Sequence, residues 1–437
     1  MSLYIIDNSM RCVKLLLFLS APMFLSDGAF AQAALVPAVL PDPLDDVPQG
    51  SPLESFYDFS WRSFIALNWP AQIGPSGRGL PDRTRAFSDT NRPRVWMTWK
   101  SRYEIFQPKG AWPTPWASYD GQNPCGKGFS NDVLTLHSFR AFSDFNQTPP
   151  FANPLVAQNH SYVRYEVRVN KPEFDSIVGN KWYIADNLPT SATPVPFNIG
   201  STAIKAAWRV LKEIDEPVRS RYYVVKKAQV FDASGKCTLQ DVALVGFHIV
   251  TKTRERPQWI WSTFEHIDNV PGVTDEPEPP PNVPFSFNDG FGPFSEIHPA
   301  KPPAPISSNN ASADLYPMQV VRKHPIHRLT MEMNIAYWNL PEIKGTVWQN
   351  YMLVLTQWPV NENGAPFPVG YFNLINTTME TYLQDAVKGH FPNCMDCHAI
   401  ANANGRDFVW FVTTELAPSS DPMLRELMKV FEAAEKK

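Results

Sequence analysis

The 437-residue chain has no excess of positive charge. Its 39 lysines and arginines stand against 43 aspartates and glutamates, a formal net charge of −4. A nucleic-acid backbone demands a strongly basic domain or stripe, so nucleic acid is excluded as the principal partner. Charged residues of both signs are sparse, 19% against 43% apolar, a balance that excludes a disordered chain and provides for a sizeable core. After the N-terminal region no run reaches the roughly 20 apolar residues that span a bilayer. No glycine-rich phosphate loop, serine-histidine-acid pattern or internal repeat is visible. What is abundant is proline, 43 residues. Proline breaks the helical ladder, and a bundle of long helices is thereby excluded.

The N-terminus reads as a secretory signal peptide over residues 1–31. Arg11 and Lys14 precede an apolar run from Leu15 to Leu25, and Ala29-Phe30-Ala31 offers the small residues of a cleavage site. Residues 1–9 fit the pattern poorly, which makes Met10 a candidate start. The expectation is an exported, periplasmic protein with no membrane span after cleavage. Cys125, Cys237, Cys394 and Cys397 follow the leader. In an oxidising compartment Cys125 and Cys237 are candidates for a disulfide, a pairing that sequence spacing does not decide.

Residues 32–52 are rich in proline and small residues and read as an extended lead-in. From Leu53 to Trp69 apolar residues fall at helical spacing and Pro70 ends the run. Arg94 to Phe106 reads as a second amphipathic helix. The period then changes. Tyr162 to Val169 alternates, and Tyr222 to Phe231 and Val242 to Thr251 alternate around a turn at 233–236, which is a hairpin signal. Pro257 to Phe264 reads as a further strand, and 315–333 and 346–358 carry more β-branched and aromatic residues. The predicted class is α+β, a mostly antiparallel sheet with peripheral helices and a short helical C-terminal segment. The expected organisation is a β-rich domain over 53–270, a proline-rich loop or linker over 271–317, and a continuation of the core over 318–437.

The residues that carry chemistry are Cys394-Met395-Asp396-Cys397-His398. Thiols at i and i+3 can each add to a haem vinyl group while the adjacent histidine binds the iron. In an exported chain this points to one covalent c-type haem, held by Cys394, Cys397 and His398. Three other readings use the same residues. A thioredoxin-like pair would sit at a helix start straight after a buried strand, and His390-Phe391-Pro392-Asn393 does not read as one. A zinc site would recruit His390, Cys394, Cys397 and His398, with Cys397 and His398 awkwardly adjacent. The third is a simple disulfide. Little chain follows the motif: Asp407 to Thr413, expected to pack on the ring, and a final helix after Ser419-Ser420-Asp421-Pro422. Earlier chain must therefore complete the pocket.

The sixth iron position is open. Met379 and His266 are candidate distal ligands, as are Met428, Met423 and His248, and a position without a protein ligand would suit ligand binding or catalysis. Met395 faces away from the iron in the usual geometry. Glu265, His266 and Asp268 could form an acid-base group or simply a hydrogen-bonded turn. His324 and His327, flanked by Arg322, Lys323 and Arg328, read as a surface basic cluster.

The chain resembles a group of large exported bacterial proteins of the cytochrome c family. The resemblance rests on Ser63-Phe64-Ile65-Ala66-Leu67-Asn68-Trp69-Pro70, Lys205-Ala206-Ala207-Trp208-Arg209, Trp259-Ile260-Trp261-Ser262-Thr263-Phe264-Glu265-His266 with Asp268-Asn269, Thr356-Gln357-Trp358-Pro359, and the terminal motif. It implies one haem on Cys394, Cys397 and His398 and brings no assigned substrate. The expected function is a monohaem electron carrier or redox subunit with a redox partner protein. The alternatives are a haem enzyme (oxidase, peroxidase or dehydrogenase) whose substrate cavity the β-rich domain forms, and an envelope binding module with haem as a staple.

Overall fold

A computed structural model describes residues 47–48, 50–119, 135–136, 146–148, 151–231, 236–272, 279–292, 297, 316–358, 374–385 and 393–416. The segment read as a signal peptide, Cys125, His390, Met423, Met428 and the expected final helix lie outside them.

Helix α1 (Leu53–Leu67) forms where the sequence places apolar side chains at helical spacing after Pro52, which can begin a helix but not continue one. It stops before Pro70. Trp61 and Phe64 are fully buried, each worth roughly 1.5–3 kcal/mol of apolar burial. The expected second helix is broken up. Strand β1 (Lys100–Ser101) pairs with Val169 and Arg168, between a 3-10 turn at Val95–Thr98 and one α-helical turn, α2 (Arg102–Ile105). That pairing breaks the helix, and Ser101 and Glu104 form a capping box that starts the new turn after it.

Strands β2 (Thr135–Leu136), β3 (Asn146–Thr148), β4 (Phe151–Pro154) and β5 (Val163–Val169) follow, then α3 (Lys171–Gly179). Strands β6 (Thr202–Val210), β7 (Val224–Phe231), β8 (Cys237–Thr251) and β9 (Ile260–His266) form the centre. Helix α4 (Arg328–Trp338) and strand β10 (Tyr351–Gln357) complete it. Seven strands make an antiparallel sheet, and β2 joins β7 in parallel at its edge. The protein is an α+β fold. β8 is the hub: β6 lies along one edge, while β7 and β9 share the other, β7 beside its first half and β9 beside its second. β1 and β5 extend the sheet beyond β6, and β10 extends it beyond β9. β3 and β4 pair separately.

The two faces are used differently. On one, α1 and α4 enclose a core containing Trp61, Phe64, Trp96, Trp208, Phe247, Phe264 and Trp348. Asn334 of α4 ties that face together. It accepts from the Trp61 indole at 2.9 Å and exchanges hydrogen bonds with the backbone of Leu353. The other face carries residues 374–385 and the helices α5 (Cys394–Ala403) and α6 (Phe411–Leu416).

The proline-rich stretch is more than a spacer where it is described. Ser286 and Phe287 donate to the carbonyls of Asp268 and Asn269, Val320 donates to Phe287, and the Phe287 ring is fully buried. The segment expected to add β-structure before residue 333 instead enters α4, because Arg328 to Trp338 has no alternating period.

Candidate functional site

Side chains on alternate strand residues share a face, and the sheet register sorts those opposite α1 into three rows. Tyr165, Ala207, Gly246 and Glu265 form the first. Val167, Lys205, His248 and Thr263 form the second, and Val169, Ala203, Val250, Trp261 and Gln357 the third. Residues 374–385 cover the first row. Tyr165 donates from its hydroxyl to the Thr378 carbonyl at 2.8 Å. Thr377 donates from its peptide nitrogen and hydroxyl to the two oxygens of Glu265. Gly246 is required there, since a Cβ would collide with the Thr378 hydroxyl.

Helix α5 covers the third row. Gln357 accepts from the peptide nitrogens of Cys394 (2.9 Å) and Met395 (3.3 Å), and the Trp261 ring lies 4.0 Å from that of His398. Between these two covers runs the middle row. Val167, Ala203, Lys205, His248 and Val250 all keep partial solvent access, whereas Ile204, Ala206, Phe247 and Ile249, facing α1, are buried. Lys205 and His248 of the middle row thus stay partly open between residues 376–380 and α5, while Thr263 of the same row is buried.

Cys394, Cys397 and His398 stand at i, i+3 and i+4 and so share one side of α5. All three are partly accessible, while Met395 is fully buried. His398 Nδ1 donates to the Phe408 carbonyl at 2.7 Å. A carbonyl only accepts, so the proton sits on Nδ1 and Nε2 keeps its lone pair, the tautomer a metal needs. Burial pushes the imidazole pKa down to about 4, against the opposing pull of that hydrogen bond, and so keeps it neutral.

The Phe408 carbonyl is itself fixed. Asp407 and Phe408 are successive non-glycine residues in the left-handed region, φ +47° and +64°, a conformation that needs support. Asp407 supplies it, pairing with Lys252 Nζ at 3.0 Å and accepting from the Phe197 peptide nitrogen at 2.8 Å. Gly405, at φ +80°, abuts the Thr190 carbonyl where a Cβ would collide.

Two residues of the middle row and Glu380 make a charged trio. His248 Nε2 lies 3.0 Å from Glu380 Oε1, and Lys205 is the direct cross-strand neighbour of His248. The Glu380 side chain is 22% accessible and that of His248 15%. Burial pushes the Glu380 carboxyl up, but the charge and hydrogen bond of His248, with Lys205 and His398, outweigh it and set its pKa below the ordinary value. Burial holds the Lys205 ammonium below the usual lysine range, with Glu380 opposing. Burial, Glu380 and Cys397 all push the Cys394 thiol up, the opposite of what an activated redox thiol requires.

The other residues singled out in the sequence are placed as follows. Met379 is fully buried, with its methyl group against Gly246. His266 faces the other way, edge-on to Tyr351 and stacked on Tyr222 at 3.9 Å. Both its nitrogens are used: Nε2 lies 3.1 Å from the Arg221 carbonyl, and Nδ1 accepts from the Asp268 peptide nitrogen. It therefore faces away from the side of the sheet that carries His398, because successive strand residues point to opposite faces. Glu265 binds Arg322 at 2.9 Å and Asp268 binds Arg221 through both oxygens. Glu265 is thus paired away from the other two, while His266 and Asp268 share Arg221 and a backbone hydrogen bond as a buried, hydrogen-bonded turn. Arg322, expected at the surface, is 1% exposed, since only a buried cation can balance the buried Glu265.

Cys237 is disulfide-bonded, while Cys125 lies outside the described residues. Among the described residues no three His, Cys, Asp or Glu side chains converge on a metal position, and no helix is long and apolar enough to cross a membrane. Two residues of the site, Gln357 as a cap and Glu380 beside Met379, carry no sequence signal of that role. His248 and Lys205 do, through the alternation of their strands. No protein-family model, curated protein or solved structure matches the chain.

Proposed function

We propose that the protein is an exported, periplasmic monohaem c-type cytochrome that acts as an electron carrier or redox subunit for a partner protein. The observation that carries the reading is the 2.7 Å hydrogen bond from His398 Nδ1 to the Phe408 carbonyl within a Cys-x-x-Cys-His helix. It leaves Nε2 as the ligating atom, on the same side of α5 as both thiols. The donor set fits a c-type haem: two thiols three residues apart for the vinyl groups and one neutral imidazole of fixed orientation.

When bound, the haem supplies one-electron chemistry. Cys394 and Cys397 would tether it, and His398 would bind its iron. Phe408, Asp407 and Lys252 fix the His398 ring, because a rotation would break the Nδ1 hydrogen bond. Trp261, its ring tilted against His398 at 4.0 Å, covers that side of the imidazole.

The test is haem staining of denatured protein after maturation in a periplasm equipped for haem attachment. Wild type should retain the stain, and Cys394→Ala and Cys397→Ala should lose most of it. His398→Ala should keep covalent haem but alter the spectrum. Unchanged staining in both cysteine variants would overturn the proposal. A second reading, a haem enzyme, is favoured by one feature: Lys205, His248 and Glu380 are more ionisable chemistry beside the site than electron carriage uses.

A further inference from the structure

We infer that Glu173 is a proton site linked to the haem, so that a proton leaves Glu173 when an electron leaves the iron. The inference rests on the haem reading of α5 and adds a proton to the electron that the protein carries.

The place of Glu173 is fixed by α3 and by the segment beside it. Asn170 caps α3, and its side chain accepts from the Glu173 peptide nitrogen at 3.2 Å. Glu173 and Ser176 stand three residues apart and so share one side of the helix. The Ser176 hydroxyl accepts from the Asn198 peptide nitrogen at 3.0 Å, while that of Phe197, one residue before, donates to Asp407 at 2.8 Å. Residues 197–198 therefore join the Glu173 side of α3 to Asp407, whose neighbour Phe408 accepts from His398 Nδ1. The Asp407 charge acts on the Glu173 carboxyl, which is fully buried with neither oxygen hydrogen-bonded. A buried carboxylate with a purely structural role would have donors.

Charge explains the proton. Lys252 Nζ lies 3.0 Å from one Asp407 oxygen and 3.1 Å from the other. One cation balances one carboxylate, so a second buried anion would stand uncompensated. The other ionic groups of α3 and its surroundings are already paired: Lys171 with Asp175 at the helix surface, and Lys100, over the Phe174 ring, with Glu104. Strand β6 meets α3 with the neutral Thr202, which donates to Asn170. Burial, with Asp407, pushes the Glu173 pKa up to about 8, which keeps the proton in place at neutral pH. A positive charge added at the iron shifts the balance the other way, since it favours the anion. The Glu173 O–H bond then breaks, the carboxylate keeps the electron pair, and the proton leaves for solvent past Asp407, whose side chain is 11% accessible. The electron leaves for an oxidised partner protein. The net buried charge is then the same before and after.

The test is the midpoint potential of the haem-loaded full-length protein, measured from pH 5 to pH 9. In wild type the potential should fall as pH rises towards about 8 and level off above it, because the bound proton and the reduced state favour each other. Glu173→Gln, with haem stain and circular dichroism unchanged, should lose most of that fall. A potential independent of pH in wild type, or an equal fall in both proteins, would overturn the proposal. Wild type alone supplies a second reading should the variant fail to fold. Infrared difference spectra at pH 7 should show the carbonyl stretch of one protonated carboxylic acid in the reduced protein and its loss on oxidation, and a band that persists, or none, would overturn the proposal as well. Absence of haem stain would remove the haem reading and this proposal with it, and is read before any potential is measured.

Discussion

Gln357, the last residue of β10, and Cys394, the first of α5, are joined by a 2.9 Å hydrogen bond from the cysteine peptide nitrogen to the glutamine Oε1. The first amides of a helix have no partner within it. Here the missing cap is supplied by the sheet, so the orientation of the helix is set by a strand rather than by its own preceding residues.

Replacing that cap should therefore loosen the helix. Gln357→Leu should cost about 0.5–2 kcal/mol, the range of a lost N-cap. Amide hydrogen exchange should show lost protection at Cys394 and Met395 beyond any global change. Unaltered protection there would mean that the bond contributes nothing.

Gly405 should tolerate no side chain. Its φ of +80° disfavours alanine, and a Cβ would meet the Thr190 carbonyl. Gly405→Ala should destabilise by more than about 1 kcal/mol, strain and overlap acting together. Gly345 has a similar φ, +74°, in open space. Gly345→Ala should lose only about 1 kcal/mol. Urea midpoints of the two variants give the comparison.

The Glu265–Arg322 pair is buried on both sides, 0% and 1% of each side chain being accessible. Arg322→Met removes the cation and leaves Glu265 with only the Thr377 donors. A loss of about 3–5 kcal/mol is expected for a buried charge stripped of its partner. The double variant Glu265→Gln with Arg322→Met should recover much of it. Thermal denaturation of the two proteins decides; a double variant no more stable than the single one would contradict the account.

Glu173 predicts a pH dependence. It is fully buried in α3, neither carboxyl oxygen has a hydrogen-bond partner, and burial, with the nearby Asp407 charge, pushes its pKa to about 8. The folded value lies above the unfolded one of 4.5, so between these values the folded state holds a proton that the unfolded state has released. Stability falls as pH rises through that window, by up to about 1.4 kcal/mol per unit, and the contribution is level below it and above it. Glu173→Gln cannot titrate. The difference in urea midpoint between pH 5 and pH 8 should shrink in that variant, and an equal fall in both proteins would exclude Glu173 as the source.

Where a local pattern decides structure, the sequence was readable. The period of 53–69 marked α1, the alternation at 162–169, 222–231 and 242–251 marked the central strands, and five residues marked the Cys-x-x-Cys-His segment of α5. Where a distant partner decides, it was not. Arg94 to Phe106 has the spacing of a helix, but pairing of Lys100 with Val169 breaks it. His266 and His248 look alike as strand histidines. Only the register shows that one faces α1 with both nitrogens engaged and the other faces Glu380. Arg322 sits among basic neighbours, and its burial follows from Glu265, 57 residues earlier. Glu380 acquires meaning only once the strand beneath it is placed.

No strand of the sheet comes from beyond residue 357 among the described residues. The segment bearing Cys394 and Cys397 is fastened to the finished sheet through side chains: Thr377 to Glu265, Glu380 to His248, Cys394 to Gln357, Asp407 to Lys252. Peeling it away breaks no inter-strand ladder. The ladder of the sheet is therefore complete without that segment. If haem is attached as proposed, the two thiols can be modified before docking, which then seals the product in place.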